Sequence, residues 1–271
     1  FAAADRINEG YTNWLDQQWN VIRLKAQNAP RQGALLVIDE IQKVPNWSES
    51  VKQNWDADTQ KGLAIRVVLS GSSSLLIQEG LTESLMGRYE SIYMGHWSLA
   101  EMQKAFEISP QQYVWFGGYP GSIPLIKDEN RWKQYILDSI IETTISRDIL
   151  MMKQIKKPAL MKRLFQMGST FSGQVLSFTK MLGQLQDAGN TVTLSQYLDL
   201  LEYAGLLSGI EKFSNNEVKK RSSSPKFQTH NTALMSALSD HTFSSIQKDP
   251  MKWGRWVESA VGSHLMNYCR K

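Results

Sequence analysis

Apolar positions recur at two different periods along this chain, and the change of period divides it. Tyr11, Leu15, Trp19, Ile22 and Ala26 fall three or four residues apart, the stripe of an amphipathic helix. The period then collapses. Ala34-Leu35-Leu36-Val37-Ile38 is an unbroken apolar run, as expected of a strand buried on both faces of a parallel α/β sheet. Pro45-Asn46-Trp47-Ser48-Glu49 predicts a helix start, with Asn46 as cap and Glu49 closing a capping box, and Trp47, Val51 and Trp55 continue it as a buried stripe. Gly62 marks a turn before a second strand, Ile65-Arg66-Val67-Val68-Leu69. A strand–helix–strand unit of this length requires parallel strands. Phe1-Ala2-Ala3-Ala4 reads as the end of a further strand. Helical pattern returns over residues 75–85 and again over 131–152, where Trp132, Ile136, Ile140 and Thr143 share a face.

Residues 158–228 carry a different rhythm. Pro158 suits a first helical turn, Leu160, Leu164 and Met167 form the stripe, and Gly168 is the expected stop. A second helix is expected over 176–188. Thr193-Leu194-Ser195-Gln196 fits a capping box, and Leu194, Leu198, Leu201 and Ala204 follow before Gly205 as the residue after the helix. A strand from Leu206 to Ile210, a turn at Asn215-Asn216 and a returning strand at Lys226-Phe227-Gln228 complete three helices and a hairpin, the plan of a winged helix-turn-helix. Near the end, Trp253, Trp256, Val257, Ala260, Val261, His264 and Leu265 predict one more amphipathic helix.

Composition narrows the classes. Of 271 residues, 42% are hydrophobic and 21% charged, an ordinary globular balance able to bury a sizeable core. No run approaches the roughly 20 apolar residues of a membrane span, so no membrane partner is expected. A single cysteine, Cys269, excludes an internal disulfide framework and fits a reducing, cytoplasmic setting. His96, His230, His241 and His264 are far apart without partner cysteines, which speaks against structural zinc. The chain opens on Phe1 and its last helix reads as unfinished, so it is expected to be an internal piece of a longer protein.

The net charge of +4 is unevenly spread. Residues 1–150 hold 14 Lys+Arg against 18 Asp+Glu, and residues 151–228 hold 11 against 5. Such asymmetry is expected of separate domains, with any nucleic-acid contact in the basic one; a solvated basic face is the alternative.

The candidate chemistry sits where the first full strand ends, on Asp39-Glu40. Ligand sites of open α/β sheets lie at the carboxyl ends of strands. Two adjacent acids there have the form of a Walker B segment: Asp39 would take a hydrated Mg²⁺, and Glu40 would orient or polarise the attacking water. They could equally cap the following helix. The neighbouring strand ends in Ser70-Gly71-Ser72-Ser73-Ser74, where Ser70 or Ser72 would sense a γ-phosphate, or where a serine-rich turn would cap the next helix.

Several of these segments together resemble a prokaryotic family of AAA-type P-loop ATPases: Leu35-Leu36-Val37-Ile38-Asp39-Glu40-Ile41-Gln42-Lys43-Val44-Pro45, Leu69-Ser70-Gly71-Ser72-Ser73-Ser74, Met86-Gly87-Arg88-Tyr89-Glu90, Phe116-Gly117-Gly118-Tyr119-Pro120 and Ser146-Arg147-Asp148-Ile149. The resemblance implies an ATPase core, then a winged helix, then a C-terminal domain similar to restriction-endonuclease folds. It implies ATP and Mg²⁺ as cofactors. The expected fold is α/β: a partial AAA-like parallel sheet over residues 1–100, a helical lid over 101–152, a winged helix over 153–228 and the opening of a third domain over 229–271. One departure matters. The phosphate loop G-x-x-x-x-G-K-[ST] does not occur in these 271 residues, so ATP binding and hydrolysis are expected of the full-length parent and not of this piece alone.

The resemblance also implies that an arginine near Arg88 stabilises transition-state charge, in cis or from a neighbouring copy, which would make the protein a homo-oligomer. A surface ion pair is the alternative for Arg88, as it is for Arg147 beside Asp148. In the winged helix the exposed third-helix positions Ser195, Gln196, Asp199 and Glu202 include no cation, so base reading is not expected there. Lys219-Lys220-Arg221, with Lys153, Lys156, Lys157, Lys162 and Arg163, suits DNA phosphates, which give affinity without sequence choice. Two rival functions stay open: a DNA-associated regulator whose α/β part is a degenerate scaffold, and a protein-interaction scaffold.

Overall fold

A computed structural model describes residues 2–3, 13–29, 31–71, 85–149, 155–185, 190–215 and 223–270. The chain divides into two units, Phe1–Ser91 and Ile92–Lys271.

The first unit holds a three-stranded parallel sheet of β1 (Ala2–Ala3), β2 (Ala34–Asp39) and β3 (Ile65–Leu69), in the order β1-β2-β3. The helices are α1 (Trp14–Asn28) and α2 (Trp47–Gln60). Leu15, Trp19, Ile22 and Ala26 of α1 are buried as the stripe predicts; Tyr11 lies outside the described residues. Register pairs Leu36 with Val67 and Ile38 with Leu69, and this face packs on Trp19, Ile41, Trp47 and Val51. The other face departs from expectation. Leu35 is 56% and Val68 48% exposed, so among the described residues the sheet is covered on one side only. An apolar run shows that a strand can be buried twice; whether it is depends on what lies over it.

Two caps also differ. Asn46 precedes α2, but in a left-handed conformation and with no side-chain capping bond, so the Asn46–Glu49 box does not form. Asp58 instead ties the helices together: it accepts from Trp19 Nε1 and Arg23 Nε, both at 2.6 Å.

The second unit is mostly helical. Its described helices are α3 (Leu99–Phe106), α4 (Pro110–Phe116), α5 (Glu129–Tyr135), α6 (Pro158–Thr170), α7 (Phe178–Gln184), α8 (Thr191–Tyr203), α9 (Thr232–Ala237), α10 (Phe243–Ile246) and α11 (Pro250–Arg270). The strands β4 (Leu207–Ile210) and β5 (Lys226–Thr229) pair antiparallel. Ser98 and Ser109 each close a capping box, with Glu101 and Gln112. One apolar core runs from Trp115 and Phe116 through Leu164, Phe165, Leu198, Leu201 and Phe227 to Trp256. Trp115 stacks on Trp256 at 5.3 Å, and Phe116 meets Trp132 edge-on at 5.0 Å.

Four predicted details shift. After α5 the chain continues as π-helix over Ile136–Glu142 and Thr144–Ile149. The wider turn moves the buried stripe from the expected Ile140 to Ile141, Ile145 and Ile149. Gly168 does not stop α6, which runs to Thr170. Gly168 is where Leu207 and Phe227 press on the helix, and a Cβ there would collide with both. The second helix is shorter than expected, beginning after its cap Ser177. The capping box at Thr193 gives way to Asn190, whose side chain accepts from Thr193 N at 2.8 Å. Gly205 does follow α8 with φ +70°, the left-handed position glycine favours.

The last helix is rotated from its predicted face. Trp256 and Ala260 are buried, but so are Ser259 and Ser263, whereas Val261 and Leu265 are 53% and 55% exposed. The reason is hydrogen bonding. Ser263 Oγ donates to Thr229 O at 2.7 Å, and Gln228 Nε2 donates to Ser259 O at 2.9 Å. Polar partners on α11 thus satisfy the backbone and side chains of β5, where an apolar face would leave them unpaired.

Candidate functional site

The parallel register of β2 and β3 sets Asp39-Glu40 beside Ser70. Ser70 binds both sides of the acidic pair. Its N–H donates to Ile38 O at 2.8 Å and its carbonyl accepts from Ile41 N–H at 3.1 Å. Its Oγ donates to Asp39 Oδ1 at 2.6 Å. The ladder therefore continues one residue beyond the strands, and the Ser70 hydroxyl fixes the Asp39 carboxylate.

Glu40 leaves the strand with φ 55° and ψ 39°. A non-glycine residue held left-handed costs about 1–3 kcal/mol and is concentrated at functional sites. The chain then turns tightly through a 3₁₀ segment, Ile41–Lys43, anchored by the fully buried Ile41. The Glu40 side chain is 18% exposed, and its Oε2 lies 3.5 Å from Lys43 Nζ. The same oxygen accepts from Gln42 Nε2 at 2.7 Å. Neither Gln42 nor Lys43 follows from the Walker-type reading; a polar pair just past the acids, at a turn, was the available signal.

A carboxylate fixed by one hydroxyl keeps acceptor capacity at its other lone pairs. Magnesium retains most of its water and needs one or two carboxylates, so Asp39 with Glu40 fits a hydrated Mg²⁺. Among the described residues no cluster of three or more His, Cys, Asp or Glu could hold a metal by itself.

Other predicted residues fall elsewhere. Arg88 forks onto Asp56 of α2, with Nε to Oδ1 at 3.0 Å and Nη2 to Oδ2 at 3.4 Å. The backbone of Arg147 lies in the π-helical stretch. Ser72, Lys153, Lys219, Lys220 and Arg221 lie outside the described residues. Lys162 pairs with Glu142 at 2.6 Å, and this contact holds the Glu142 carboxyl below its ordinary range.

The second unit contains a cavity of about 120 Å³ lined by His96, Ser98, Tyr113, His264, Asn267 and Tyr268. The fold already engages three of its polar groups. Ser98 caps α3, and Tyr113 donates to Trp97 O at 2.9 Å, with burial pushing its hydroxyl up to about 12. His96 Nε2 lies 3.0 Å from Gly205 O, which assigns the proton to that nitrogen.

Residues 4–103 match the AAA domain family, which supports an AAA-type P-loop class for the segment carrying Asp39, Glu40 and Ser70 and points to a nucleotide-binding, ATPase-like function. Residues 109–245, just over half of the chain, match a domain family of unknown function, DUF8612, and the chain belongs to that family. An uncharacterised protein of Haemophilus influenzae is 26% identical over 185 residues, 63% of this chain and 44% of that protein. One of Mycobacterium tuberculosis is 26% identical over 207 residues, 75% of this chain and 44% of its own length. One of Methanocaldococcus jannaschii is 24% identical over 216 residues, 71% and 47% respectively. The chain thus spans under half the length of these relatives. No solved structure matches it. Among the described residues no helix is long and apolar enough to cross a membrane.

Proposed function

We propose that the whole protein binds ATP and hydrolyses it with Mg²⁺ at the strand tips of its first unit. The observation that carries this reading is the 2.6 Å bond from Ser70 Oγ to Asp39 Oδ1 at paired tips inside the AAA-matching segment. Asp39 is the residue that would hold Mg²⁺, which when bound neutralises phosphate charge. Ser70 orients Asp39. Glu40 accepts a proton from the attacking water, and a γ-phosphate-sensing role falls to Ser72. Arg88 is ion-paired with Asp56, so a catalytic role would require it to leave that partner.

Helices α6, α7 and α8 followed by the β4–β5 hairpin support a winged helix. Hydrolysis would change how that module is held, a nucleotide-driven switch. Its third helix presents Asp199 to solvent, which disfavours contact with nucleic-acid phosphates there.

The test is Mg²⁺-dependent ATP turnover by the full-length protein and its Glu40→Gln variant. The variant is expected to lose about 100-fold or more in turnover while still binding ATP. A wild type without turnover, with or without DNA, overturns the proposal. The basic balance of residues 151–228 favours a second reading, a DNA-associated regulator on a degenerate scaffold. Salt-dependent DNA affinity indifferent to ATP would be its mark.

A further inference from the structure

We infer that Gln42 is a positioning residue for Glu40: its side-chain amide holds one carboxylate oxygen so that the other is presented to the attacking water. The inference rests on the ATPase reading above.

The argument begins with the backbone. If Glu40 continued the strand, Gln42 would stand two pleats on, about 7 Å along the same face. The left-handed turn at Glu40 followed by the Ile41–Lys43 turn folds residue 42 back instead, and Nε2 reaches Oε2 at 2.7 Å. That turn is held at several points. Lys43 N–H donates to Glu40 O at 3.0 Å, Val44 N–H to Ile41 O at 3.0 Å, and Ile41 N–H to Ser70 O at 3.1 Å. Ile41 is fully buried beneath it. The donor is therefore carried by the strand-tip ladder that carries Asp39 and Ser70.

A carboxylate on a free side chain samples rotations about its last two bonds, and proton transfer needs one of them. Displacing a reacting group by about 1 Å can cost about 100-fold in rate. A fixed donor on Oε2 removes that freedom, while the backbone pays for the geometry through the strained φ of Glu40. Lys43, with its side chain 48% exposed and its Nζ 3.5 Å away, adds charge to the same oxygen with less geometric definition. The local strain thus has a consequence: it brings an amide to the oxygen that must not wander.

The test uses the full-length protein in a double-mutant cycle of Gln42→Leu and Glu40→Gln, with steady-state ATP turnover and nucleotide affinity measured for all four forms. Gln42→Leu is expected to lower kcat about tenfold with KM and ATP affinity within about twofold. In the Glu40→Gln background the same substitution should have no further effect. Restoring an amide one methylene shorter, as Gln42→Asn, should recover part of kcat. Equal losses in both backgrounds, an unchanged kcat or a raised kcat would each overturn the inference. A second measurement does not need turnover. With glutamate labelled at its side-chain carboxyl carbon, the Glu40 resonance should shift in Gln42→Leu, and an unmoved resonance overturns the contact. A silent wild type with a shifting resonance sinks the ATPase reading and the catalytic role together while leaving the contact; an active wild type with an unaffected variant sinks the positioning role alone.

Discussion

Asp58 and His96 show how single polar side chains hold each unit. Asp58 is 3% exposed and takes the Trp19 indole and the Arg23 guanidinium. Replacing it by alanine leaves a buried donor and a part-buried cation without their acceptor. Asp58→Ala should destabilise the first unit by about 2–4 kcal/mol in chemical denaturation. Asn231 Nδ2 lies 3.3 Å from His96 Nδ1, while Asn231 Oδ1 accepts from Gly118 N and Ala233 N. The amide therefore cannot turn over to accept a second proton from His96. Burial lowers the His96 pKa below its ordinary 6.5. A folded-state value below the unfolded one means that the unfolded chain binds more protons. The His96 contribution is thus complete above about pH 6.5 and fades as the pH falls below it. Unfolding midpoints measured from pH 7.5 to 5 should drop less in His96→Gln than in the wild type.

At the scale of elements, α6 and the hairpin meet without room to spare. Gly168 lies under Leu207 and Phe227, both fully buried. Gly168→Val should therefore destabilise the second unit by about 1–3 kcal/mol, although a helix interior ordinarily gains from losing glycine. The π-helical stretch and the polar inward face of α11 make the same point about pattern. A buried stripe at four- and five-residue spacing reads as imperfect α-helix until the wider turn is seen. A face of Ser259 and Ser263 reads as solvent-facing until β5 is seen to need their oxygens.

For the molecule as a whole, the second unit contains its own aromatic and aliphatic core, from Trp115 to Trp256. A chain limited to residues 92–271 should therefore fold alone, with one cooperative transition and near-ultraviolet dichroism from its packed tryptophans. A non-cooperative melt would show that its core depends on the first unit. The core also crosses from the lid-like helices through the three-helix and hairpin region to α11, so these segments stabilise one another. The acidic balance of the first 150 residues and the basic balance of residues 151–228 lie mainly on different units.

The sequence by itself determined the elements whose cause is local: the α1 stripe, the parallel β2 and β3, the hairpin, glycine after α8, and acids at a strand tip. Each follows from apolar period, strand length or turn chemistry within a few residues. Only the tertiary structure decided what these elements face. It left one side of the β2–β3 sheet uncovered among the described residues, turned α11 toward β5, placed Arg88 on Asp56 and put the Ser70 hydroxyl on Asp39. It also brought Gln42 back to Glu40, through a backbone conformation that no hydrophobic pattern encodes. Those outcomes depend on partners far along the chain or on φ and ψ at one residue, and periodicity carries neither.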